Sequence, residues 1–129
     1  MNTMKLNFGI HEEALTLKSQ RLELLARNIA NADTPHFKAQ DLDFKAVLSR
    51  YEGGPRPMAA THASHVPFAP DTLPAGVRFR IPFNTAFDGN TVELSVEQAH
   101  YGKASADYQA TLSFLESRVS GIRKALRGD

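Results

Sequence analysis

Cysteine and tryptophan are absent from the 129 residues. Without cysteine there is no disulfide scaffold, no thiolate metal site and no cysteine nucleophile. Neither sign of charge predominates: fifteen Lys and Arg face fourteen Asp and Glu, a formal net charge of +1. That balance lacks the basic footprint of a nucleic-acid or anionic-lipid binder, so neither is expected as a partner. No stretch approaches the ~20 apolar residues of a transmembrane helix. The opening residues Met1 to Phe8 show no apolar h-region and no small-residue cleavage site, and no cleaved signal is expected. Hydrophobic residues make up 42% and charged residues 22%, which fits one globular domain rather than a disordered chain.

Proline is missing from both ends. All seven prolines lie between Pro35 and Pro82. Proline blocks a helix interior, so the centre cannot be one long helix while the flanks can. The chain divides into an N-terminal helix (1–32), a central turn, short helix, loop and hairpin (33–90), and a long C-terminal helix (91–129), forming one structural unit. The fold class expected is mainly α, with two long terminal helices packed as a coiled-coil-like pair around an irregular proline-rich centre.

The flanks carry the periodicity for this. Phe8, Leu15, Leu22 and Ile29 recur every seven residues, Leu25 adds the intermediate position, and His11 and Lys18 interrupt the row. Ile10, Leu17 and Leu24 form a second row about 200° around the helix. One partner helix cannot cover both rows, so this helix is expected either deep in a larger core or between two neighbours. At the other end Tyr101, Ser105, Tyr108, Leu112, Leu115, Val119, Ile122 and Leu126 alternate steps of four and three. Ser95 followed by Gln98 has the form of a capping box that starts the helix near Val96, and Arg123, Lys124 and Arg127 suit its C-terminal dipole. The simplest arrangement is an antiparallel or crossed helical pair, and apolar rows left uncovered by it mark an interaction surface or an aggregation liability.

In the centre, Phe44, Val47, Leu48 and Tyr51 predict a short amphipathic helix. Residues 53–76 read as a loop. Val77, Phe79, Ile81 and Phe83 alternate with Arg78, Arg80 and Pro82 as a strand, expected to pair with Thr91–Leu94 as a small hairpin.

Chemistry is sparse. His62 and His65, with His36 and His100, are the only histidine grouping that suggests zinc or nickel. They read instead as polar loop residues with no carboxylate spaced to complete a set. Asp41 and Asp43 read as helix-start carboxylates, and Arg78 and Arg80 as an exposed strand face. No phosphate loop, nucleophile elbow or catalytic triad spacing occurs. No enzyme activity, cofactor or metal is expected.

The run Leu25 to Lys38 reads as a helix end and tight turn: Asn31 suits a C-cap, Asp33 and Thr34 bond locally, Pro35 stops the helix, and Phe37 packs back. Asn28, Ala30, Asn31 and Ala32 add small side chains and paired amides that would admit another chain. Here the sequence resembles the flagellar rod, hook and hook-associated axial proteins. Their N-terminal helix ends in an A-N-I-A-N-A-x-T-P-G-Y-type motif, matched by Asn28, Ile29, Ala30, Asn31, Ala32, Thr34 and Pro35. Phe37 stands for the aromatic, and His36 replaces the glycine. The length, Asp41-Leu42-Asp43-Phe44, Thr61-His62 and Asp88-Gly89-Asn90-Thr91-Val92-Glu93 are similar to the short proximal rod type.

The resemblance implies a non-enzymatic subunit of the basal body rod. Such a subunit is exported by the flagellar type III apparatus without a cleaved signal. It assembles in the periplasm as a helical tube that links the MS ring to the distal rod and hook and transmits torque. Its partners would be further copies, other rod proteins, MS-ring and rod-junction proteins and the export apparatus. Leu15, Leu22, Leu25, Ile29, Tyr101, Tyr108, Leu112, Leu115, Val119 and Ile122 would form the helical seam, and Asn28, Asn31, Thr34 and Pro35 the aiming turn. A competing reading is a helical adaptor or export chaperone that binds one partner helix through Leu112–Leu126.

Overall fold

The computed structural model describes residues 9–51 and 76–128. Helix α1 spans Ile10–Ala30, strand β1 Gln40–Leu42, helix α2 Phe44–Tyr51, strand β2 Val77–Phe79 and helix α3 Leu94–Arg127. The protein is mainly helical, as the periodicity predicts, with α1 and α3 packed against each other. The two run antiparallel. Asn28 near the end of α1 meets Glu97 near the start of α3. Lys18 reaches Thr111, and His11 packs against Phe114 with ring centroids 5.0 Å apart and the rings tilted by 53°.

These contacts explain the two apolar rows of α1. The row interrupted by His11 and Lys18 faces α3, and those two residues are themselves contact points. The other row faces the chain's own centre: buried Leu17 forms a cluster with Leu42, Val47 and Val77, against which Leu24, Phe44 and Leu48 pack. The partners that two-faced α1 calls for are therefore present within one molecule, one helix on one side and the α2–sheet layer on the other.

The hairpin expectation changes partner. β2 forms where the alternation predicts a strand, but it pairs antiparallel with β1, Gln40 opposite Phe79 and Leu42 opposite Val77. Thr91 to Glu93 form no strand, and α3 begins at Leu94. Thr91 is occupied elsewhere: its N–H donates to Phe37 O at 3.0 Å and its hydroxyl accepts from Ala39 N at 2.8 Å. The Ser95–Gln98 capping box does not form. Glu93 is the N-cap and makes no side-chain cap bond. The left-handed Gly128 closes the other end of α3, its N–H donating to Lys124 O and Ala125 O.

Two local devices join the layers. Asp43 caps α2 by accepting from Ala46 N at 3.1 Å. Gly76 enters β2 with φ +84°, and a Cβ there would collide with the Val47 side chain, so the turn requires glycine. Tyr51's side chain and the 53–75 part of the expected loop, with His62 and His65, lie outside the described residues.

Candidate functional site

The densest set of side-chain hydrogen bonds lies at the elbow where α1 ends and α3 begins. Asn31 is the C-cap of α1: its N–H donates to Arg27 O and Asn28 O, and its Nδ2 to Arg27 O at 2.8 Å. Thr34 N donates to Asn31 O, and Thr34 Oγ1 to Asn31 Oδ1 at 3.1 Å. Phe37 N donates to Thr34 O and is half-buried, while Pro35 is exposed. The chain thus leaves the helix through a turn built from its own side chains, followed by His36 with φ +60°. The position where the axial motif carries glycine is a left-handed one, which histidine occupies at a steric cost.

The turn is held from across the molecule. Asn90, buried, points its Nδ2 at Asn31 O, Ala32 O and Thr34 O, all within 2.9 Å. Its Oδ1 accepts from Val92 N at 2.7 Å. Asp88 O accepts from His36 N and Lys38 Nζ donates to Gly89 O. The Asp88-Gly89-Asn90-Thr91 run and the α1 motif are two halves of one junction.

Beneath it lies an ionic chain. Asn28 is 1% exposed; its Nδ2 donates to Gln40 O at 2.7 Å and to Glu97 Oε2 at 3.1 Å, and its Oδ1 accepts from Gln40 N. One side-chain amide therefore acts toward β1 as a neighbouring strand would. Glu97, fully buried, also accepts from Arg80, which pairs with Asp41 at 2.7 Å; Asp41 in turn accepts from Arg21 at 3.0 Å. Burial pushes the Asp41 carboxyl up, but hydrogen bonds from Arg21, Leu42 N–H and Arg80, with the charge of Arg21, outweigh it and hold it below the usual carboxylate range. Among the described residues no buried side-chain polar atom lacks a partner. Arg80 is thus not on an exposed face as the strand alternation predicts, whereas Arg78 is, beside Asp43 at 3.6 Å. Asp41 serves this ionic chain rather than a helix start.

The amides expected to admit another chain, Asn28 and Asn31, are used internally. Ile29 is half-buried and Ala30 exposed. Of the seam residues, Leu25 is fully buried, Leu15, Leu22, Tyr108, Leu112, Leu115 and Ile122 are half-buried, and Tyr101 and Val119 are exposed. On α3 the deepest residues are Glu97 and Ala104. Tyr101 lies three positions, about 60° around the axis, from Ala104; the apolar stripe therefore straddles one shoulder of the buried face. The outward apolar surface is larger than the periodicity suggests. Phe79, Ile81, Phe83 and Phe87 are exposed, Ile81 at 92%, and so is Leu126. Glu97 and Arg21 had no signal in the sequence, and Arg80 and Asp41 were read in other roles, because the four are far apart along the chain and meet only in the fold. Only Asn90 had a local signal, its place in the Asp-Gly-Asn-Thr run.

An internally braced elbow between two long helices, with outward apolar strips, defines a helical structural protein. Comparison with known proteins specifies which. The sequence model of the flagella basal body rod proteins matches residues 8–38. The flagellar basal body rod protein FlgB of Cereibacter sphaeroides is 40% identical over 121 residues, 94% of each chain. That of Proteus mirabilis is 36% identical over 98% of each. That of Escherichia coli is 40% identical over 90% of this chain and 89% of its own. The chain belongs to the flagellar basal body rod protein family, a family of structural proteins of the flagellum.

Proposed function

We propose that this chain is the proximal rod subunit of a bacterial flagellum. It is a non-catalytic wall element of the helical tube that links the MS ring to the distal rod and hook and carries torque between them. The observation that supports this most is the end-to-end likeness to FlgB proteins, elbow included. The elbow suits the role. A subunit that carries torque needs a fixed angle between its two helices, and a buried, fully satisfied polar network is stiff and specifies one geometry.

In this reading Asn28, Asn31, Thr34, Pro35 and Phe37 set the angle. Leu15, Leu22, Leu25, Tyr101, Tyr108, Leu112, Leu115, Val119 and Ile122 pack within the subunit and between subunits. The partners are further copies, other rod proteins, MS-ring and rod-junction proteins and, before assembly, the flagellar export apparatus. The site of assembly is the periplasm. Among the described residues no helix is long and apolar enough to cross a membrane.

Complementation tests the proposal. In a strain lacking its own copy of the gene, this chain restores swimming and is found in purified basal bodies, and Leu115→Asp does neither. A chain that stays outside the basal body in swimming cells, or forms only a one-to-one complex with a single helical partner, would sink the rod reading in favour of an adaptor.

A further inference from the structure

The sequence has one Asp-Gly pair, Asp88-Gly89, and no Asn-Gly pair. The fold places it inside the clamp that holds the elbow. An aspartate followed by glycine is a chemically weak point. The next backbone nitrogen lies within reach of the carboxyl for closure of a five-membered ring, an intramolecular step that needs only the right geometry. Glycine has no Cβ to obstruct the approach, and its backbone is free to find it. Asp88 is exposed, so burial does not protect it.

Hydrogen bonding does. In the folded chain both reacting groups are held. Gly89 N–H donates to Ala86 O at 2.9 Å, and Asp88 Oδ1 accepts from Asn90 N at 3.0 Å. Ala86 N closes the same loop by donating to Asn90 O, and His36 N ties it to the elbow by donating to Asp88 O, each at 3.0 Å. Ring closure requires Gly89 N to give up its proton and the Asp88 carboxyl to turn from Asn90 N to Gly89 N. Both bonds must break first, and that is local unfolding of the elbow.

We propose that Asp88 is a site of spontaneous isomerisation to isoaspartate, and that the folded elbow suppresses it. The chemistry balances with water alone. Gly89 N attacks Asp88 Cγ, and the N–Cγ bond forms. One carboxyl oxygen leaves as water, taking the carboxyl proton and the amide proton. Water then opens the cyclic imide at either carbonyl. Attack at Cγ restores aspartate. Attack at the α-carbonyl breaks its bond to Gly89 N and leaves the main chain running through Cβ and Cγ. The isomer no longer fits the clamp. Its main chain is longer by one carbon–carbon bond, about 1.5 Å, whereas N–H···O bonds accommodate a range of only about 0.5 Å. His36 N holds one end of the segment at Asp88 O. Asn90 Nδ2 holds the other at Asn31 O, Ala32 O and Thr34 O, all within 2.9 Å. Both ends cannot be satisfied together, so a chain that isomerises while unfolded no longer closes its elbow.

Ageing of the full chain tests this. The unmodified protein is held at one pH and temperature, in buffer and in denaturing urea, and then digested with trypsin. Asp88 falls in the peptide from Ile81 to Lys103. Isoaspartate there is counted by electron-transfer fragmentation and by methyl transfer from S-adenosylmethionine with a purified isoaspartyl methyltransferase. It is expected to form in urea, and in buffer to form more slowly by about tenfold or more. In urea Asp88→Glu, which cannot close the same ring, gives none, and Gly89→Ala slows it.

No isoaspartate at Asp88 in urea, or equal rates in urea and buffer, overturns the proposal. The consequence for the elbow is read by amide hydrogen exchange. The isomerised fraction is separated and returned to buffer beside the unisomerised fraction of the same incubation. The amides of His36 and Val92, slow to exchange in the unisomerised chain, are expected to exchange fast in the isomer. Protection kept by the isomer, or lost equally by its companion, overturns the claim that isoaspartate opens the clamp. None of these readouts involves assembly, so their failure leaves the rod reading standing, and a failed complementation leaves this chemistry untouched.

Discussion

Asn28 on α1 donates to Glu97 on α3 at 3.1 Å across 69 positions of sequence, and with the same nitrogen to Gln40 O on β1. Three elements meet at one buried amide. Asn28→Ala therefore leaves the Gln40 N–H and C=O and a Glu97 oxygen short of partners at a buried site. The expected loss is about 2–4 kcal/mol, read as a lower urea midpoint with an unchanged slope. Asn28→Asp is expected to be worse, because it sets a second carboxylate beside Glu97.

Arg80 is the cation that makes the buried Glu97 tolerable, their side chains being 15% and 1% exposed. Removing one partner of a buried pair strands the other's charge, and Arg80→Ala is expected to cost about 3–5 kcal/mol. Arg78→Ala, at an exposed pair with Asp43, is expected to cost under about 1 kcal/mol. Similar denaturation midpoints for the two variants would contradict this placement of Arg80.

Acid stability follows from Asp41. Its carboxyl is held below the ordinary range in the folded protein, so the unfolded chain takes up a proton first as pH falls. The contribution of Asp41 is fully present above the unfolded value of about 3.9. It declines as pH drops through that value toward the lower folded one. Urea titrations between neutral and acid pH are expected to show a smaller acid-side loss of stability for Asp41→Asn than for the unmodified chain.

His36 and Gly89 lie so close that only glycine fits opposite the histidine. His36 has φ +60°, and a Cβ on Gly89, itself at φ +79°, would lie 2.8 Å from His36 Nδ1. His36→Gly relieves a left-handed penalty of about 1–2 kcal/mol at an entropic cost of about 0.5–1, and a net gain near 0.5 kcal/mol is expected. Gly89→Ala destabilises, and by less in the His36→Gly background. A double-mutant cycle measured by thermal melting gives the coupling.

Leu25 and Leu126 look alike in the heptads and differ in the fold, one fully buried and the other 84% exposed. Leu25→Ala is expected to cost about 2–5 kcal/mol by leaving a cavity. Leu126→Ala should change the stability of the isolated chain by under about 0.5 kcal/mol.

Helix identity, the turn after Asn31 and the strand at Val77 are all legible in the residues, because each depends on spacing along the chain or on proline and glycine chemistry. The family motif was legible for the same reason: Asn28 to Pro35 are contiguous. The choice of strand partner, the inward turn of Arg80 and the burial of Glu97 were not. Each depends on which distant group arrives opposite, and an arginine on a strand has the same local preferences whether it faces water or Glu97. Sequence periodicity specified which faces are apolar. Only the packing of α1 between α3 and the sheet decided which of those faces the molecule covers itself, since burial is a property of three-dimensional neighbours and not of the order in which residues are joined.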